Sequence, residues 1–180
     1  MLLSSLAPSI QLGDFGLFNK ADLRSVENIP LSHTFIRGNH DNPEICTKVP
    51  NYLGDFGFYD EEKTIFFVSG AYSVDQSMRI PFVEWWPDEE LSAQQMNDVM
   101  SLIRKHRPTT ILSHAAPQSL IPHVVSTSYT NTSPTERLFE DIFQQYPPDL
   151  WVAAHYHQSF DRNFKHTRFV VLDELETIEV

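Results

Sequence analysis

Five short apolar runs along the chain each stop abruptly at Gly, Asp, Asn or His. Ser9–Leu12 runs into Gly13-Asp14-Phe15-Gly16, and Thr34–Ile36 into Arg37-Gly38-Asn39-His40-Asp41. Thr64–Val68 runs into Ser69-Gly70-Ala71-Tyr72, Thr110–Leu112 into Ser113-His114, and Leu150–Ala154 into His155-Tyr156-His157. Continuous apolar runs this short predict strands buried on both faces. Polar residues gathered at strand C-termini are where an α/β sheet places its site. Two segments carry helical periodicity instead. Glu89–Lys105 shows one apolar stripe of Met96, Val99, Met100 and Ile103, and its basic end suits the helix dipole. Pro134–Tyr146 buries Leu138, Phe139, Ile142 and Phe143, opens on a Ser133/Glu136 capping box and stops at Pro147-Pro148. Thr167–Leu172 reads as a last strand. The tetrapeptide GDFG occurs at Gly13 and again at Gly54. The second copy, within a predicted hairpin over Asn51–Tyr59, reads as turn chemistry.

Charge narrows the partners. Thirteen Lys and Arg against 24 Asp and Glu give a formal net charge of −11. That balance gives no indication of nucleic-acid binding and disfavours docking on anionic membranes. A single cysteine, Cys46, excludes an internal disulfide framework and a Cys-rich zinc cluster. No apolar run approaches the roughly 20 residues of a membrane span, and the first ten residues do not read as a signal peptide. The expectation is one cytoplasmic domain over residues 1–180, rich in histidine.

Residues two apart in a strand point the same way, so His155 and His157 can face one site. Asp14, Asn39, His40 and His114 end other strands. A lone strand-end histidine is commonly a hydrogen-bonded surface or core residue, but five such coincidences are harder to assign to chance. The mixed oxygen and nitrogen donors suit Mn, Fe or Zn, or a pair of them, better than Ca or Mg alone.

In order and spacing, Gly13-Asp14, the Gly38-Asn39-His40-Asp41 block, Ser113-His114 and His155-x-His157 resemble the calcineurin-like metallophosphoesterases, over about Ser9 to Leu172. Gly70–Asp75 followed by Trp85-Trp86 is similar to a subgroup of small prokaryotic members. The resemblance implies an α/β sandwich of two mixed sheets flanked by helices. It implies a metal-dependent hydrolase of phosphate mono- or diesters, with attack by a metal-bound hydroxide. Two divalent ions (Mn, Fe, Zn or Ni) are implied. Asp14 would bridge them; Asn39, His114 and His155 would complete one site, and His157 would bind the other ion. His40 would protonate or stabilise the leaving oxygen, with Asp41 orienting its imidazole. Arg37 and Arg79 are candidate phosphate contacts.

The chain departs from the family pattern. Relatives end their first strand in Asp-x-His, and no Asp-x-His occurs here. Met1–Pro8 resembles the tail of the first helix, so the expectation is an N-terminally truncated domain lacking that strand. The second ion would then have only Asp14 and His157, a weak site. Ala154 stands where Gly is usual, and Ala115 where Asp is. An alternative reading follows: a catalytically impaired, truncated chain that serves as a binding module or is an inactive remnant. Bared sheet edges would favour self-association. Trp85 and Trp86 read as packing residues. Ser113 lacks a nucleophile elbow, and His33, His106, His123 and His166 read as bystanders.

Overall fold

The computed structural model describes residues 7–125 and 133–180. The helix tail expected at Met1–Pro8 therefore lies outside the described residues, except for Ala7 and Pro8. The strands are β1 (Ser9–Leu12), β2 (His33–Ile36), β3 (Phe56–Phe58), β4 (Ile65–Val68), β5 (Thr110–Ser113), β6 (Leu150–Ala153), β7 (Phe160–Phe164) and β8 (Thr167–Val171). The helices are α1 (Leu23–Val26), α2 (Pro43–Cys46), α3 (Ala93–His106), α4 (Ile121–Val124) and α5 (Pro134–Gln145).

A six-stranded sheet runs in the order β3-β4-β5-β6-β8-β7. Its four central strands are mutually parallel, and β3 and β7 flank them antiparallel. The second sheet holds, among the described residues, β1 and β2, paired in parallel rather than mixed, from Ser9↔His33 to Leu12↔Ile36. The predicted strands match the observed ones within a residue or so, and those inside the large sheet do so because they are buried on both faces. Phe66, Val68, Ile111, Trp151, Ala153, Phe169 and Val171 point to one side, where Val99 and Ile103 of α3 and Phe139, Ile142 and Phe143 of α5 cover them. Phe67, Leu112, Val152 and Val170 alternate to the other side, where Leu12 and Ile36 of the small sheet meet them. Beyond the small sheet, Leu17, Val26, Phe35, Ile45, Cys46 and Val49 form a third apolar layer.

Three local features differ from expectation. Helix α3 begins at Ala93 rather than Glu89. Ser92 caps it, its hydroxyl accepting from the Gln95 N–H while Gln95 returns a bond to the Ser92 N–H. Strand β7 was not predicted, since Phe160 and Phe164 bracket three exposed polar residues and leave no alternation to read. The second GDFG copy does more than turn the chain. Asp55 pairs with Arg37 and accepts bonds from Tyr52 and Gln95.

Candidate functional site

The carboxyl ends of strands from both sheets meet at one place. Asp41, fully buried, builds the loops there. Its Oδ1 accepts from the N–H groups of Gly16 and Leu17, and its Oδ2 from those of Phe15 and Gly38. Four amides occupy the carboxylate, so Asp41 fixes the backbone after β1 and β2 rather than orienting the His40 imidazole.

Within these loops Asp14, Asn39 and His114 converge. The His114 Nδ1 lies 2.6 Å from the Leu12 carbonyl oxygen. A carbonyl can only accept, so Nδ1 carries the proton and the other nitrogen is left for the site. That nitrogen, Nε2, is 3.1 Å from Asn39 Oδ1 and 3.4 Å from Asp14 Oδ2. The Asn39 amide is held in register from behind. Its Nδ2 donates to Ser73 Oγ, and the Ser73 hydroxyl and N–H both donate to the buried carboxylate of Glu89. The His40 N–H donates to Asp14 Oδ1 at 3.1 Å. Two glycines permit the approach. A Cβ on Gly13 would collide with the His114 ring, and one on Gly38 with Asp14 and His114 Nε2. Asp14 itself sits at φ 52° and His155 at φ 72°, in the left-handed region where side chains are strained.

Three electron-pair donors thus face one another. Such a meeting favours a positive charge between them: a proton on Nε2, or a cation in its place. The electrostatics of the cluster agree. Burial works to lower the His114 pKa, but the Asp14 carboxylate outweighs it and raises the value. Burial works to raise that of Asp14, but the His114 charge and hydrogen bond, with His40, hold it well below the usual carboxylate range. His155 packs edge-on against His114, ring centroids 4.9 Å apart. Burial, reinforced by the nearby His114 charge, pushes its pKa down to about 3, so the ring stays neutral.

The remaining candidates separate. Arg79 lies against His40, Nη1 2.6 Å from Nδ1 and Nη2 3.1 Å from Nε2, while Asp75 grips the same guanidinium. Arg37 does not face the site. It is buried, ion-paired to Asp55 at 3.0 Å and bonded to the Glu89 carbonyl, which commits its Nε and Nη1 to the scaffold. His157 is exposed, and its Nδ1 bonds Glu174 at 2.9 Å; the structure does not join it to Asp14. Ser113 is occupied, donating to the Ala115 carbonyl and accepting from the Trp151 indole. Trp86 packs as expected, buried beside Phe18.

Among the described residues, no three His, Cys, Asp or Glu side chains gather closely enough to hold a metal by themselves. The Asn39 amide oxygen completes the donor set that Asp14 and His114 begin, with neutral His155 beside it. Ser73 and Glu89 escaped sequence reasoning because their part is indirect and 16 residues of chain separate them. Among the described residues no helix is long and apolar enough to cross a membrane.

Comparison with known proteins places this arrangement. No curated protein matches the chain. A solved phosphopantetheinyl hydrolase from Mycobacterium tuberculosis aligns over 95% of this chain and 83% of its own, at 14% identity and a TM-score of 0.49. Another solved structure aligns over 77% of this chain at 14% identity and a TM-score of 0.44; the chain spans 56% of that protein's length. Likenesses this distant say nothing about activity. The sequence profile of the calcineurin-like phosphoesterases, in contrast, matches residues 7–159, most of the chain and every residue of the cluster. The chain belongs to the calcineurin-like phosphoesterase family.

Proposed function

We propose that the chain hydrolyses phosphate esters at the Asp14–Asn39–His114 cluster, with a divalent cation held there. The observation that carries this is the convergence of Asp14 Oδ2 and Asn39 Oδ1 on His114 Nε2, the opposite nitrogen being tied to Leu12. Mn, Fe and Zn all accept such donors. A cation bound there supplies a counter-charge for the phosphoryl oxygens and lowers the pKa of a water.

The chain's own groups do the rest. The His40 N–H fixes Asp14, and Asn39 is aimed by the Ser73–Glu89 chain. Arginine only donates, and Arg79 meets both ring nitrogens of His40, so a neutral ring accepts from it at one nitrogen and keeps its proton on the other. Burial first, and then the Arg79 charge, keep His40 below its ordinary pKa, a neutral ring. His40 therefore acts as a hydrogen-bond donor to the departing oxygen, stabilising its developing charge. Arg79 contributes by orienting His40 rather than by clamping phosphate. One observation favours the alternative of an impaired enzyme: His157 is engaged by Glu174, which leaves the cluster with donors for one cation rather than two.

The test is turnover of p-nitrophenyl phosphate and bis-p-nitrophenyl phosphate with added Mn²⁺. The expected result is metal-dependent hydrolysis of at least one, abolished by Asp14→Asn and reduced about 10²-fold or more by His40→Ala. Activity that survives Asp14→Asn refutes the assignment. Mn²⁺ binding without turnover selects the impaired-enzyme alternative.

A further inference from the structure

Glu89 is a buried carboxylate without a counter-charge. It is 3% exposed, and none of the ion pairs among the described residues includes it. Burial raises its pKa, against the pull of its hydrogen bonds from Ser73. Burying an unpaired charge is costly, and a neutral amide of the same shape would fill the place at lower cost. The residue is nevertheless firmly seated. Its N–H donates to the Trp86 carbonyl at 3.0 Å, and its own carbonyl accepts from Arg37 Nη1. A Cβ on Gly70 would collide with that carbonyl.

What the carboxylate does is direct one hydrogen. The Ser73 N–H donates to Glu89 Oε1 at 2.8 Å, and the Ser73 hydroxyl to Oε2 at 2.6 Å. An ionised carboxylate only accepts, and a hydroxyl has a single hydrogen. With that hydrogen committed to Glu89, Ser73 Oγ can only accept from Asn39. Ser73 and Asn39 are buried as well, so their polar groups must find partners here. Asn39 therefore presents Nδ2 to Ser73 Oγ, at 3.0 Å, and turns Oδ1 toward His114 Nε2. The charge on Glu89 decides, from two hydrogen bonds away, which end of the Asn39 amide faces the cluster.

An amide at position 89 reverses that order. The Ser73 N–H still requires an acceptor, so the glutamine oxygen takes the place of Oε1 and its NH₂ the place of Oε2. That NH₂ donates to Ser73 Oγ. The Ser73 hydrogen then turns to Asn39, which must offer its oxygen. The Asn39 NH₂ swings to His114 Nε2 and Asp14 Oδ2 and satisfies both without a cation.

We propose that Glu89 is a positioning residue whose charge sets the polarity of Asn39, making it a cation ligand rather than a hydrogen-bond donor. The proposal rests on the cation reading above and deepens it. Glu89→Gln, which keeps the shape of the side chain, lowers Mn²⁺ affinity at least about tenfold in calorimetry. Its metal-free form melts no lower than the wild type, because a buried charge is gone and the facing electron-pair donors have gained hydrogens. A Glu89 that merely braces the fold would lose stability and affinity together. Adding Asn39→Asp to Glu89→Gln restores Mn²⁺ binding, since a carboxylate has an oxygen at either end. Wild-type affinity in Glu89→Gln, a lowered melting temperature of its metal-free form, or no rescue by Asn39→Asp overturns the proposal. A wild-type protein that binds no Mn²⁺ refutes the cation reading and this proposal with it. Equal binding by the wild type and Glu89→Gln refutes the role of Glu89 alone.

Discussion

The two copies of Gly-Asp-Phe-Gly fold to different ends. Both begin on a glycine with a positive φ, 97° at Gly13 and 108° at Gly54. Asp55 in the second copy faces only donors: the Arg37 guanidinium, the Tyr52 hydroxyl and the Gln95 amide. Asp14 in the first copy shares its space with the Asn39 carbonyl and His114 Nε2, groups that offer electron pairs. Both carboxylates stay ionised. For each, burial opposes the charge; Arg37 outweighs it at Asp55, and His114 at Asp14. What separates a structural carboxylate from a chemical one here is the company of other acceptors.

The sharpest way to break this comparison is to neutralise each carboxylate in turn. Asp14→Asn lowers Mn²⁺ affinity about 100-fold or more, while Asp55→Asn changes it less than about threefold. Asp55→Asn instead costs about 2–4 kcal/mol of stability in urea denaturation, because it strands the buried Arg37 charge. A metal defect in Asp55→Asn would erase the distinction. The glycines sharpen it further. Gly54→Ala meets open space and pays only the backbone strain, about 1 kcal/mol. Gly13→Ala adds a collision with His114 and loses about 3 kcal/mol together with cation binding. Equal stabilities for the two variants would show that His114 yields freely.

Ser73→Ala is a milder probe. It frees the Asn39 amide to rotate and lowers Mn²⁺ affinity about tenfold; calorimetry showing wild-type affinity would remove the Glu89–Ser73 chain from the site. The smallest effect is a slope. The unfolded His155 titrates near 6.5 and the folded one near 3, so between these values only the unfolded chain holds the proton. The contribution of His155 is full above pH 6.5 and is lost as pH falls through that window. The melting temperature of the metal-free protein therefore drops between pH 6.5 and 5, and His155→Gln flattens that drop. An unchanged slope in His155→Gln would assign it elsewhere.

The strands of the large sheet left unbroken apolar runs because they are buried on two faces, and both long helices left a stripe of helical period, so each was a legible trace. Asp14, Asn39, His40 and His114 were legible because they interrupt that trace at strand ends. Strand β7 left none, having two phenylalanines and a solvent face. Asp41 and Arg37 were recognisable as important residues but not as scaffold, since a sequence does not show whether a charge faces backbone amides, an ion-pair partner or a ligand. His157 shows the limit of the spacing rule. Two residues beyond His155 it shares the positive φ, at 50°, yet it ends on the surface against Glu174.

The bond from His114 to Leu12 spans 102 positions of the chain and stitches the large sheet to the small one. A contact that distant needs both sheets in place and docked. Only when it closes is the His114 tautomer fixed and its second nitrogen turned toward Asp14. Cation affinity thus depends on the two sheets being docked, and a chain in which they are apart does not have the site. An ion that loads the finished site would also hold the two sheets together, slowing unfolding more than it speeds folding.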